Sequence, residues 1–406
     1  MRKKEKKAIP VEEPICLDIP EEEIWTYKVE GLAAPHINKP YKHYTLKKVI
    51  FALVIIVAVS LSCYFSVRTV QKDTFEYEKT QAGYELSKFS NTGYITTLDI
   101  DYVSSVEYDR QNPDVNSNFR IVKDKSKPVD SVGKYALNCD EKVKVINIGA
   151  NVTNVDPKAF YSCWALRQIE VDENNPNYCD IDGVLYSKDK TVLICRPCDH
   201  DTYLAEKYGY AKYDDNGYRI EPAPEDENYA KYVDDVLTYV VPSSVKTVGQ
   251  LSFNYANMKN VYLPEGLKMI ETLAFFEIPL LENVYSYKSE KDITDPHFTT
   301  AEALGEVYIS LPEGLEYIGS DAFSYNQAMT YVYIPESVTF IGHHAFWDTV
   351  YKNGDELKGV AQINVALDEA AFKDTVDTGD GWRPQYDFLL FKKSVNVAYS
   401  SQRVSG

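Results

Sequence analysis

Apolar positions recur along most of the chain in blocks of 22 to 26 residues, and self-similarity at such a period is the mark of stacked structural repeats. One block reads SVKTVGQLSFNYANMKNVYLPEG from Ser244 and the next GLKMIETLAFFEIPLLENVYSY from Gly266. GLEYIGSDAFSYNQAMTYVYIPES from Gly314 and SVTFIGHHAFWDTV from Ser337 share the frame, as do the blocks opening at Ser131 and Asn151. Phe160 follows Leu137 by 23 residues, Phe275 follows Phe253 by 22, Phe346 follows Phe323 by 23 and Phe372 comes 26 later. Each block has two early apolar positions, a small residue with Phe, and an apolar-x-x-apolar-x-apolar run such as Met258/Val261/Leu263 or Met329/Val332/Ile334. The end of that run alternates with period two and predicts a short strand. A strand that buries one face is unstable alone, so the reading is a parallel sheet built by stacking, with one continuous core.

A different pattern precedes the repeats. Residues 49–67, VIFALVIIVAVSLSCYFSV, are nineteen positions without a charge. As a helix they extend about 28 Å, enough for a bilayer core of about 30 Å. The 48 residues before the run do not suit a cleaved signal peptide. Lys28, Lys39, Lys42, Lys47 and Lys48 precede it, against Arg68, Lys72 and Lys79 after it. That bias predicts a single-pass protein with its N-terminus cytoplasmic and the repeats outside the cell. Residues 1–48, rich in Pro and Glu, read as a disordered tail or a cytosolic docking segment. Residues 68–92 read as a linker or stalk, 93–380 as the solenoid and 381–406 as a C-terminal cap or tail.

The repeat blocks resemble the BspA-type leucine-rich-repeat family in three features: starts like SVTFIG, the Ala-Phe pair, and endings like YVYIPES. The resemblance covers roughly residues 131–375, with a degenerate lead-in from Gly93. It implies a right-handed leucine-rich-repeat solenoid of parallel strands with short helices and turns. It also implies a surface-exposed binding scaffold, often linked to adhesion, without catalytic residues or a cofactor. Asp182 to Thr191 look like the β-hairpin inserted between such repeats, placed here at 178–197.

Charge and tyrosine narrow the function. The net charge is −18; beyond residue 48 there are 33 Lys+Arg against 53 Asp+Glu, so the external part carries about −20. A surface that binds nucleic-acid phosphate is excluded. The chain has 33 tyrosines. On the repeat strands, residues between the apolar positions face the open side of the sheet, and there Tyr262, Tyr285, Tyr308, Tyr331 and Tyr333 read as an outward ladder over four consecutive strands. Tyr308 aligns with either Tyr331 or Tyr333. The ladder is either a ligand surface, since Tyr offers rigid area and a hydroxyl at low entropy cost, or an expression of tyrosine's strand preference. Seven more tyrosines lie in the acidic insertion at 199–235, with Tyr203, Tyr208, Tyr210, Tyr213 and Tyr218 as candidate contacts. It reads as a binding projection or as a solvated loop with one short helix near Leu204 to Tyr213.

Other chemistry is thin. Pairing the hairpin about Lys188-Asp189 sets Cys179 opposite Cys198, which suggests a disulfide at its base. Cys195-Arg-Pro-Cys198 has redox spacing without the βαβ context, Asp377-Thr378-Gly379 lacks a second copy and apolar flanks, and no Glu or Cys joins His343-His344 at metal spacing. The reading is a non-catalytic cell-surface protein that presents its repeats to an extracellular protein or glycan. A transmembrane sensor and a cell-envelope enzyme accessory are the alternatives.

Overall fold

In the computed structural model the described residues are 74–90, 95–108, 119–137, 141–288, 304, 306–353, 356–388 and 391–405. The apolar run 49–67 lies outside them. Among the described residues no helix is long and apolar enough to cross a membrane.

The stacked repeats are present, and phenylalanine is their axis. Phe253, Phe275, Phe323 and Phe346 are fully buried and stack with ring centroids 4.8, 5.0 and 5.3 Å apart and planes within 4–7° of parallel. Each Phe sits on a turn flanked by residues of positive φ four positions apart: Leu251 and Tyr255, Leu273 and Glu277, Asp321 and Tyr325, His344 and Asp348. Left-handed backbone costs a non-glycine residue about 1–2 kcal/mol. The conformation is held by hydrogen bonds from one turn to the next. The amides of Phe253, Phe275 and Phe323 donate to the carbonyls of Ala274, Ala322 and Ala345 at 2.7–2.8 Å, and those of Tyr255 and Tyr325 donate to Phe276 and Trp347.

Two ladders of strands flank this stack where the sequence predicts one sheet. The first uses the opening pair of each block. Thr247–Val248, Met269–Ile270, Tyr317–Ile318, Phe340–Ile341 and Asp377–Thr378 pair in parallel in an eight-stranded sheet. Close approach requires glycine at its end: a Cβ on Gly342 would lie 2.3 Å from the Ser320 nitrogen. The second ladder uses the predicted alternating runs and is interrupted twice, leaving sheets of three, five and three strands.

The break near residue 300 corrects the repeat count. Phe275 and Phe323 are 48 residues apart in sequence but stack directly, so they belong to neighbouring layers, with no layer between them. Val307–Ile309, expected to be a repeat strand, instead runs antiparallel to Asn283–Tyr287. Its other edge takes the chain's end, Val404–Ser405, also antiparallel. Arg403 ties this strap down through the Oγ of Ser310 at 3.1 Å and the carboxylates of Glu265 and Glu313.

Both ends of the repeat array are more ordered than expected. Part of the supposed stalk is a hairpin, Thr74–Lys79 with Tyr84–Ser90, whose Leu86 and Phe89 are buried in one core with Leu137, Ile146 and Phe160. Its alternation, Phe75-Glu76-Tyr77-Glu78, gives it one apolar face. At the other end Asn396–Ala398 extends the sheet beside Gln362–Val365, and Trp382 is buried against Phe372.

Phe275→Ala should lower unfolding stability by about 3–5 kcal/mol, read from the denaturant midpoint, whereas its half-buried neighbour Phe276→Ala should cost about 1–2 kcal/mol. Arg403→Ala strips two carboxylates of their partner and should cost about 2–4 kcal/mol, with faster hydrogen exchange at Ile309.

Candidate functional site

The tyrosine ladder survives only in part. Tyr262 and Tyr285 are in register on parallel strands and stack at 4.7 Å with planes 17° apart. Both are half-buried. Burial first, then the neighbouring Tyr285 and Asp234 charges, push the Tyr262 phenol up to about 12. Beyond them the ladder ends. Because its strand is antiparallel, Tyr308 lies opposite Ser286 rather than in the column of either later tyrosine. Its ring carries the Arg403 guanidinium 3.9 Å from the centroid, and its hydroxyl donates to Glu306 at 2.9 Å. Tyr331 is half-buried. Tyr333 is only 4% exposed, and burial first, then the Glu313 charge, raises its phenol against the opposing Arg403 charge. It alternates with the core residues Val332 and Ile334, so it lies on the outer face of its strand as expected but is covered there.

The insertion is a small folded unit rather than a solvated loop with one short helix. Helices His200–Lys207 and Tyr229–Val236 flank a ribbon, Lys212–Tyr213 with Arg219–Ile220. They enclose a core of Leu204, Ala205, Tyr232, Val236 and Leu237. Three of its seven tyrosines donate to carboxylates, Tyr203 to Asp182 at 2.9 Å, Tyr210 to Asp235 at 2.6 Å and Tyr213, which is 45% exposed, to Glu206. Burial and the acceptor carboxylate push the Tyr203 phenol up to about 12 and raise Tyr210 too. Tyr208 is half-buried under the Lys207 ammonium, while Tyr218 stands out, 73% exposed.

The hairpin also differs from its predicted register. Tyr178–Ile181, Val184–Ser187 and Val192–Cys195 form a three-stranded meander with Cys179 opposite Tyr186. Cys179 and Cys198 are therefore apart and unbridged. The first donates to the Ser187 carbonyl and the second to the Asn254 carbonyl. Burial pushes the Cys198 thiol up to about 12 and raises Cys195 as well, the reverse of an activated thiolate pair.

A row of aromatic rings that strand alternation does not predict runs along the turns. Tyr135 packs on Tyr161 at 6.0 Å, Tyr161 on Tyr255 at 6.2 Å, Tyr255 on Phe276 at 5.9 Å and Phe276 on Tyr325 at 5.4 Å. Trp164 flanks Tyr255 at 4.3 Å. Tyr135, Trp164 and Tyr325 are 42–45% exposed and the others half-buried. Their origin is local. Tyr135, Tyr255 and Tyr325 occupy positive-φ positions of the turns, two residues from the inward residue of the stack. The signal is in the sequence as an aromatic one or two places after the repeat Phe, in Phe160-Tyr161, Phe253-Asn254-Tyr255, Phe275-Phe276, Phe323-Ser324-Tyr325 and Phe346-Trp347. The Tyr161 and Tyr255 hydroxyls meet at 3.5 Å. Burial and this contact raise the Tyr255 phenol, so it stays protonated and able to donate.

The family model for the BspA type leucine rich repeat region matches six times, over residues 85–180 and 227–352. The chain belongs to the BspA-type leucine-rich-repeat family. No curated protein matches it. Among solved structures, this BspA-type chain is similar to a leucine-rich repeat protein from Eubacterium ventriosum at 16% identity and TM-score 0.36, over 64% of this chain and 60% of that one. The pneumococcal vaccine antigen PcpA matches at 16% and 0.36, over 68% and 66%. A leucine rich cell surface protein from Faecalibacterium prausnitzii matches at 14% and 0.35, over 82% and 94%. The chain thus spans less than two thirds of the first two.

Cys179 and Cys198 should both be alkylated in denaturant without reductant, as read by mass spectrometry. In the folded chain at pH 8, Cys198 should react at least about ten times more slowly than after unfolding, because its raised pKa leaves little thiolate.

Proposed function

We propose that this chain is a non-catalytic binding protein of the cell surface, anchored by residues 49–67 with residues 1–48 inside, and that its repeat domain engages an extracellular partner through the aromatic row on its turns. The row is the observation that carries the reading. Six rings in contact from one to the next, three of them 42–45% exposed and three half-buried, form a contiguous apolar strip of the kind that marks interaction sites on soluble domains. Fixed aromatics lose little entropy when a partner lands on them. The Tyr262–Tyr285 pair and Tyr218 are secondary contacts, and Tyr308 and Tyr333 have their rings engaged within the fold. Family membership supports a binding role and brings no catalytic family with it.

Full-length chain displayed on a host cell should adhere to its partner surface. Trp164→Ala, Tyr255→Ala and Tyr325→Ala together should cut adhesion about thirty-fold or more, the loss expected of a hot-spot cluster. Tyr262→Ala with Tyr285→Ala should change it by about three-fold or less. External protease should remove the repeats and spare residues 1–48. Equal adhesion by the turn variant, or digestion of the tail from outside, would reject the reading.

A further inference from the structure

Resting on that reading, we infer that the partner along the turn row is a linear, uncharged polysaccharide. Three observations select it. First, the row repeats like groups at a nearly constant step, 5.4 to 6.2 Å from ring to ring across successive turns. A ladder of equivalent contacts is used in full only by a ligand that itself repeats at a comparable step, as a chain of sugar rings does. A protein partner needs no such regularity, since its binding energy gathers on a few central anchors.

Second, the contact chemistry suits a sugar. Successive rings are turned by 56–80° to each other, an edge-to-face packing that fixes each ring through its neighbours, and Tyr135 and Tyr325 are each 42% exposed. The C–H faces of a pyranose can lie on such rings, and its hydroxyls can meet the phenols of Tyr135, Tyr161, Tyr255 and Tyr325. Polar side chains border the strip without one dominant sign. The Lys134 ammonium lies 5.0 Å over the Tyr135 ring, and Glu277 and Asp321 lie on the turns beside Phe276 and Tyr325.

Third, the charge excludes polyanions. With about −20 beyond residue 48 and no basic stripe along the row, a uronate or sulfated chain is repelled as a nucleic acid would be. A single small ligand would leave most of the row unused.

The test uses full-length chain in neutral detergent. Gel electrophoresis through separately embedded mixed-linkage β-glucan, mannan and xylan should show retardation by at least one, with none by hyaluronan. Calorimetry with oligosaccharides of the retarding polymer, from two to eight sugars, should give affinity that climbs with length and levels only beyond about five. Trp164→Ala and Tyr325→Ala should each lower that affinity about ten-fold, close to 1.4 kcal/mol, with thermal midpoints unchanged, and Tyr262→Ala should lower it by about two-fold or less. Tyr135→Ala, at the exposed end of the row, keeps the test open should Trp164→Ala fail to fold. No retardation by any of the three polymers, affinity that stops rising at two sugars, or row variants without effect would overturn the inference. If cells still adhere through Trp164, Tyr255 and Tyr325 while all three polymers fail, the partner is a protein; the polysaccharide is then rejected and the surface stands.

Discussion

The structure depends on the stacking of one turn on the next. Four phenylalanine rings lie face to face at 4.8–5.3 Å, each inserted from a turn whose flanking residues adopt left-handed backbone. Neither part is stable alone: an isolated turn would bear the backbone strain and expose its Phe to water. In the stack, burial of the ring contributes a few kcal/mol per layer, and each turn's amides find carbonyls on the next. This coupling is why a repeat of this kind gains stability only in an array.

The same constraint produces the candidate surface. To point Phe inward, the turn reverses direction within a few residues, and the residue one or two places further on points out. Where that residue is Tyr, Phe or Trp, stacking the buried rings brings the outer ones into contact as well, at 5.4–6.2 Å. The aromatic row is therefore a second readout of the core's register. A loop could not hold rings at this spacing, because nothing would fix their step from one to the next.

Much of this was legible. The period, the buried Phe positions and the alternating strand residues follow from apolar spacing, because burial is what spacing encodes. The outward direction of Tyr262 and Tyr285 follows from the same rule. The direction of Tyr308 and the burial of Tyr333 do not, because their surroundings are set by pieces distant in sequence. A long excursion between Phe275 and Phe323 adds a strand of reversed direction, and Arg403, from the chain's end, reaches Glu265. Period counting treats that excursion as another layer, since Leu304 and Val307 imitate the apolar positions. The turn row was visible as a recurrent aromatic after each Phe, yet alternation cannot say where a positive-φ residue points.

The central claim is that the exposed aromatic face of this chain lies on its turns. Hydroxyl-radical footprinting of the free full-length chain tests it directly, by ranking side chains by solvent access. Tyr135, Trp164 and Tyr325 should oxidise among the fastest of the repeat aromatics, and Tyr333, Tyr239 and Tyr287 among the slowest. Tyr333 oxidising as fast as Tyr325, with Trp164 protected, would contradict the account.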